Sequence, residues 1–95
     1  MNLALIVIDV QHGLFEPPPA DADAVIAHIN ALSAKAREAG MPVVLVQHER
    51  AGDLEPQSAG WALHPALQVA EGDHRIRKTT PDSFLRTGLD EVLSF

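Results

Sequence analysis

The stretch ALIVIDVQHGLF, residues 4 to 15, decides the fold. Five apolar residues run unbroken into Asp9, and Val10, Gln11 and a turn at Gly13 follow. A strand with one wet face alternates apolar and polar residues; this one does not. Residues 3 to 9 (LALIVID) therefore read as a strand covered on both faces, the pattern of a parallel sheet. Asp9 then stands at the carboxyl end of that strand, the edge of an open α/β sheet where ligands bind. Its carboxylate either accepts hydrogen bonds from amides of the next turn or serves a reaction.

The neighbouring segments supply the rest of a βαβ unit. EPPPADAD, residues 16 to 23, cannot continue a strand and reads as a loop, with Asp21 or Asp23 placed to cap a helix. Val25, Ile29, Leu32 and Ala36 then recur at helical spacing, with Lys35, Arg37 and Glu38 off that stripe. Gly40 and Met41-Pro42 stop the helix. VVLVQ, residues 43 to 47, is a second apolar strand ending at His48, and the crossover between the strands is expected to be right-handed. Residues 49 to 63 are polar and carry Gly and Pro, which predicts a long functional loop. Residues 64 to 70 (HPALQVA) are expected to form a short helix and 74 to 80 (HRIRKTT) a short third strand. Thr80 or Thr87 is placed to cap a last helix carrying Leu89, Val92 and Leu93. The whole of residues 1–95 reads as one domain.

Composition excludes several classes. A net charge of -6 argues against a general binder of nucleic acid or anionic membranes. No apolar run nears the roughly 18 residues of a membrane span. The first ten residues lack the basic and small-residue signals of a secretory leader, so a cytoplasmic location is expected. Cysteine is absent, which leaves no disulfide, thiolate metal site or thiol nucleophile within these residues. The five histidines, at 12, 28, 48, 64 and 74, show no metal-binding spacing, so no metal or other cofactor is expected. His28 falls on the polar side of the first helix, whereas His48 shares a sheet edge with Asp9. Lys78, between Arg75 and Arg77, reads on its own as a solvated charge that blunts a strand edge. Trp61, the single Trp, is a loop anchor or a ligand contact. A strand ending in Asp also suggests phosphoryl transfer, but position 11 is Gln where a second acid is needed, and Gln47-His48 ends the second strand.

Together, IVIDVQHGLF, VVLVQHE, SAGWALHPAL and IRKTTPDSFLRTGLDEVL, in that order and spacing, resemble the amino-terminal half of the isochorismatase-like cysteine hydrolases. The resemblance implies a three-layer, doubly wound (Rossmann-like) α/β fold with a parallel sheet, truncated here before its later strands, and a homo-oligomer. It also implies hydrolysis of a small amide (C–N), or of a related ester or vinyl ether, by an Asp–Lys–Cys set. Asp9 would be the general base and Lys78 its cationic partner; Phe15, His48 and Trp61 would line the substrate pocket. In such a set the carboxylate takes the thiol proton, the ammonium stabilises the thiolate, and attack on the carbonyl gives an oxyanion and then a thioester. Two features depart from the pattern. The 95 residues end before the family's Cys, so by themselves they are expected to be inactive. Residues 48 to 64 also lack the metal-binding segment of nicotinamidases. In the family the first strand is central; without its far neighbour, its open edge predicts self-association or poor stability. The alternative implied is an inactive truncated relative that serves as a binding or oligomerisation module.

Overall fold

The computed structural model describes residues 3–94. Three parallel strands form the sheet: β1 (Leu5–Ile8), β2 (Val43–His48) and β3 (His74–Lys78), in the spatial order β1-β2-β3. Helix α1 (Ala22–Glu38) joins β1 to β2, and a short helix, α2 (Leu89–Val92), follows β3. The residues fall on two faces because strand side chains alternate. Val43 and Leu45 of β2, with Val7, Val10, Ile26, Ala36 and Leu67, form the core on the α1 side. Val44 and Val46, with Ile76 and Leu89, form the core on the α2 side. This is a parallel sheet between two helical layers, the α/β architecture that the unbroken apolar strands imply. None of the described helices is long and apolar enough to cross a membrane.

β2 is the strand covered on both faces: Val43 to Gln47 are all buried. β1 is less covered than its sequence suggests. It is four residues long, Ile8 is 47% exposed, and Leu3 before it is also exposed. The reason is position, since β1 lies at the sheet edge and pairs only with β2 among the described residues. A groove of about 260 Å³ runs along that edge between Leu5–Ile8, Val10 and the Ile29 and Leu32 side chains.

Helix α1 is rotated from the expected stripe. Ile26, Ser33 and Ala36 are buried and Ile29 half-buried, but Val25 is exposed and Leu32 is 56% exposed. Small Ser33 and Ala36 let the helix approach the sheet, and Leu32 projects past β1 into the groove. Asp21 occupies the N-cap position but makes no side-chain cap; its carbonyl accepts from the Val25 amide instead. At the other end the Met41 amide returns to the Ala36 carbonyl at 2.8 Å across Gly40, whose φ of +73° suits glycine.

Residues 64 to 70 do not form the expected helix. Groups that a helix would pair internally are taken by side chains of α1. Asn30 donates to the Ala66 carbonyl and accepts from the Gln68 amide, while Arg37 donates to the Gln68 carbonyl. Arg37 also grips Asp73 with two hydrogen bonds, of 3.0 and 2.6 Å, and Asp73 accepts from the Ala70 amide. Of the two candidate caps on the last helix, Thr87 accepts from the Leu89 amide; Thr80 instead closes a local turn with Asp82. The 49–63 segment is a loop as expected, anchored by fully buried Leu54. Its end is bridged to β1's exit, with the His12 amide on the Ala62 carbonyl and the His64 amide on the Val10 carbonyl.

Candidate active site

Asp9 leaves β1 with its backbone in the left-handed region (φ 63°), which is uncommon for a side-chain-bearing residue. Its amide still pairs with the Val46 carbonyl, so the turn begins while the residue is tied to β2. Across β2, the register sets His48 beside Lys78 at the ends of their strands. β3 alternates: Arg75 and Arg77 face outward, and Ile76 and Lys78 face inward. Lys78 is 3% exposed, so it is not the solvated edge charge that its basic neighbours suggest. Its ammonium reaches past His48 to Asp9.

There the Lys78 Nζ lies 3.3 Å from Asp9 Oδ1, 3.1 Å from His48 Nδ1 and 3.3 Å from the Thr80 carbonyl. The contact with Asp9 is an ion pair rather than a directed hydrogen bond, because Oδ1 is buried without a hydrogen-bond partner. The two partners differ in access: Lys78 is enclosed, while the Asp9 side chain is 39% exposed. A cavity of about 220 Å³ opens on them, lined by Asp9, Leu14, His48, Arg50, Lys78 and Pro81. Arg50 is held by two 2.8 Å hydrogen bonds to Asp53. Those bonds raise the Arg50 guanidinium above its ordinary range, with the charges of Asp53 and Asp9 adding to the shift, and they hold the Asp53 carboxyl below its own. The cavity thus sets one accessible carboxylate, a potential proton acceptor, beside the cations of Lys78 and Arg50.

The remaining sequence candidates separate. His48 lines the cavity. Phe15, in the turn His12–Phe15, packs edge-on against His64 with ring centres 5.1 Å apart and lies against the core under α1, outside the cavity lining. Trp61 is also outside the lining; its carbonyl is an anchor point and its ring lies under the Arg77 guanidinium. Arg77 in turn pairs with Glu49. Among the described residues no group of three His, Asp or Glu side chains converges as a metal site.

The residue that sequence reasoning missed is Gln11. It is fully buried, and its amide group donates to the His48 and Trp61 carbonyls (2.9 and 2.8 Å) while accepting from the His48 amide at 2.8 Å. One side chain thereby pairs with both backbone groups of His48, as a neighbouring strand would. Gln47 completes the clamp by donating to the same Trp61 carbonyl and accepting from Arg75. The available signal was an amide side chain two positions after a strand-end acid.

The family model described as Isochorismatase domain matches residues 3–94. The chain belongs to the isochorismatase family. Within that family it is 37% identical to a streptothricin hydrolase of Streptomyces noursei over 94 residues, which cover 95% of this chain and 34% of that protein. The chain spans about a third of the length of the curated relatives it matches. A crystal structure of an isochorismatase family protein superposes with a TM-score of 0.87 at 33% identity, covering 96% of this chain and 55% of the other. N-carbamoylsarcosine amidase from Thermoplasma acidophilum gives a TM-score of 0.86 at 21% identity, with 98% of this chain and 61% of the other covered; that likeness is one of fold. The isochorismatase fold therefore accounts for the parallel sheet, its helical layers and the sheet edge on which Asp9 and Lys78 stand.

Proposed function

We propose that these residues form the Asp–Lys part of a hydrolase site for a small amide, or a related ester or vinyl ether. The observation that carries the reading is the contact between accessible Asp9 and enclosed Lys78 at the carboxyl edge of an isochorismatase-family sheet. Asp9 takes a proton from a thiol and Lys78 stabilises the charges that follow. No thiol lies within the 95 residues, so the centre needs one from outside them, and the chain alone is inactive as a thiol hydrolase. We read it as a cytoplasmic protein acting on a small molecule. The resemblance to a streptothricin hydrolase makes streptothricin the first compound to test.

The test uses the 95-residue chain with streptothricin, a primary carboxamide series and N-carbamoyl amino acids. Expected are no turnover and ligand-induced NMR shifts at Asp9, His48 and Lys78 that vanish in Asp9→Asn and Lys78→Met. Turnover abolished by Asp9→Ala would overturn the requirement for a thiol. Absence of any site-specific shift would overturn the pocket assignment. A second reading, association as the working role, is favoured by one observation: the far edge of β1 is unpaired among the described residues and bordered by exposed Ile8 and Leu32.

A further inference from the structure

We propose that His48 is the positioning residue of this site: its ring fixes the direction of the Lys78 ammonium and presents its own N–H donor to the substrate. The inference rests on reading Asp9 and Lys78 as the reactive pair. An ammonium has three N–H donors and no acceptor. Three oxygen or nitrogen atoms surround Lys78 Nζ: Asp9 Oδ1, His48 Nδ1 and the Thr80 carbonyl. His48 Nδ1 is therefore an acceptor, and the neutral ring carries its proton on Nε2.

The ring's base is fixed as well. Gln11 takes both the N–H and the carbonyl of His48, at 2.8 and 2.9 Å, and is itself fully buried. A clamp on both backbone groups, at the last residue of the central strand, gives the imidazole a defined origin between Asp9 and Lys78.

Two chemical consequences follow. With two N–H groups engaged by His48 Nδ1 and the Thr80 carbonyl, and its remaining side turned to Asp9 in an ion pair, Lys78 acts through its charge rather than as a proton donor. Beside the Arg50 guanidinium, which Asp53 holds, the polar handles next to Lys78 are the second oxygen of Asp9, an acceptor, and His48 Nε2–H, a donor that is unpaired among the described residues. The Asp9 acceptor beside the His48 donor matches the N–H and C=O of a carboxamide or a ureido group. His48 thus selects for an amide over an apolar ligand of similar size.

The test is NMR on the 95-residue chain, which requires no turnover and so can fail independently of the hydrolase reading. Expected in the wild type are the Nε2–H tautomer, a scalar coupling across the Nζ–H···Nδ1 bond and a slowly exchanging Lys78 ammonium signal. His48→Asn, whose side-chain oxygen replaces Nδ1, keeps the slow signal. His48→Ala speeds its exchange roughly tenfold or more, as loss of one charged hydrogen bond implies. An Nδ1–H tautomer, or exchange unchanged in a folded His48→Ala variant, would overturn the proposal. Should His48→Ala not fold, the tautomer and coupling in the wild type, set against their loss in Lys78→Met, decide the matter.

Discussion

At the scale of single residues, the unequal burial of Asp9 and Lys78 makes their removal unequal. Lys78→Met takes an enclosed charge away and leaves a carboxylate that water already reaches. Asp9→Asn keeps the side chain's shape and tolerates the left-handed backbone, yet it strands a buried ammonium with only neutral partners. Asp9→Asn is therefore expected to cost about 2–3 kcal/mol and Lys78→Met about 1 kcal/mol. The double variant should be less destabilised than the sum, since the stranded charge is gone. Urea titrations of the three variants check this, and Lys78→Met matching or exceeding Asp9→Asn would contradict it. Gln11 gives a second prediction. Gln11→Glu cannot donate, so the His48 carbonyl loses its side-chain partner and the Trp61 carbonyl keeps only Gln47, beside a new buried charge. It should destabilise more than Gln11→Ala, itself expected to cost about 3 kcal/mol for the backbone groups left unpaired.

At the scale of elements, the Arg37–Asp73 pair fastens α1 to the loop before β3, and its strength depends on acid. Burial pushes the Asp73 carboxyl up, but the Arg37 hydrogen bonds, the Ala70 amide and the neighbouring positive charges outweigh it, and the carboxyl ends below its ordinary range. A depressed folded value means that this stabilisation is complete above the unfolded value, near pH 4, and is lost as pH falls through the folded one. Asp73→Asn should lower stability at pH 7 by about 2 kcal/mol, roughly 8–16 °C in Tm for a domain of this size. It should also flatten the acid side of the stability profile. Thermal melts from pH 7 to 2 check both, and an acid limb as steep as in the wild type would remove Asp73 from the account. The same pair marks a boundary of what the sequence could say. Apolar periodicity puts Arg37 off the stripe, but the fate of residues 64 to 70 depends on Asn30 and Arg37, more than thirty residues away.

At the scale of the molecule, the fold was legible wherever a segment's own chemistry decided it. VVLVQ admits no half-wet strand, and Gly40-Met41-Pro42 admits no longer helix. The rotation of α1 was not legible, because Val25 and Ile26, and again Leu32 and Ser33, are neighbours that fit two stripes. Only the approach of the sheet chooses between them. Asp9 and Lys78 were legible as candidates through the order of the four family-like blocks, whereas Gln11 acts on partners 37 and 50 residues distant and its only local sign is its place two positions after Asp9. The cover on β1 was overestimated for the same reason, since burial of a strand is decided by what lies beside it. That edge sets the last prediction. Its backbone is unpaired among the described residues, and Ile8 and Leu32 stand exposed at the groove beside it. The 95-residue chain should therefore self-associate through β1. Its net charge of -6 opposes contact between copies, and salt screens that repulsion, so association should strengthen with ionic strength. Ile8→Lys, which sets a cation on the edge without touching the Asp9–Lys78 contact, should shift the chain toward monomer. Light scattering across concentration and salt checks this, and a well-folded wild-type monomer throughout would show that β1 needs no partner.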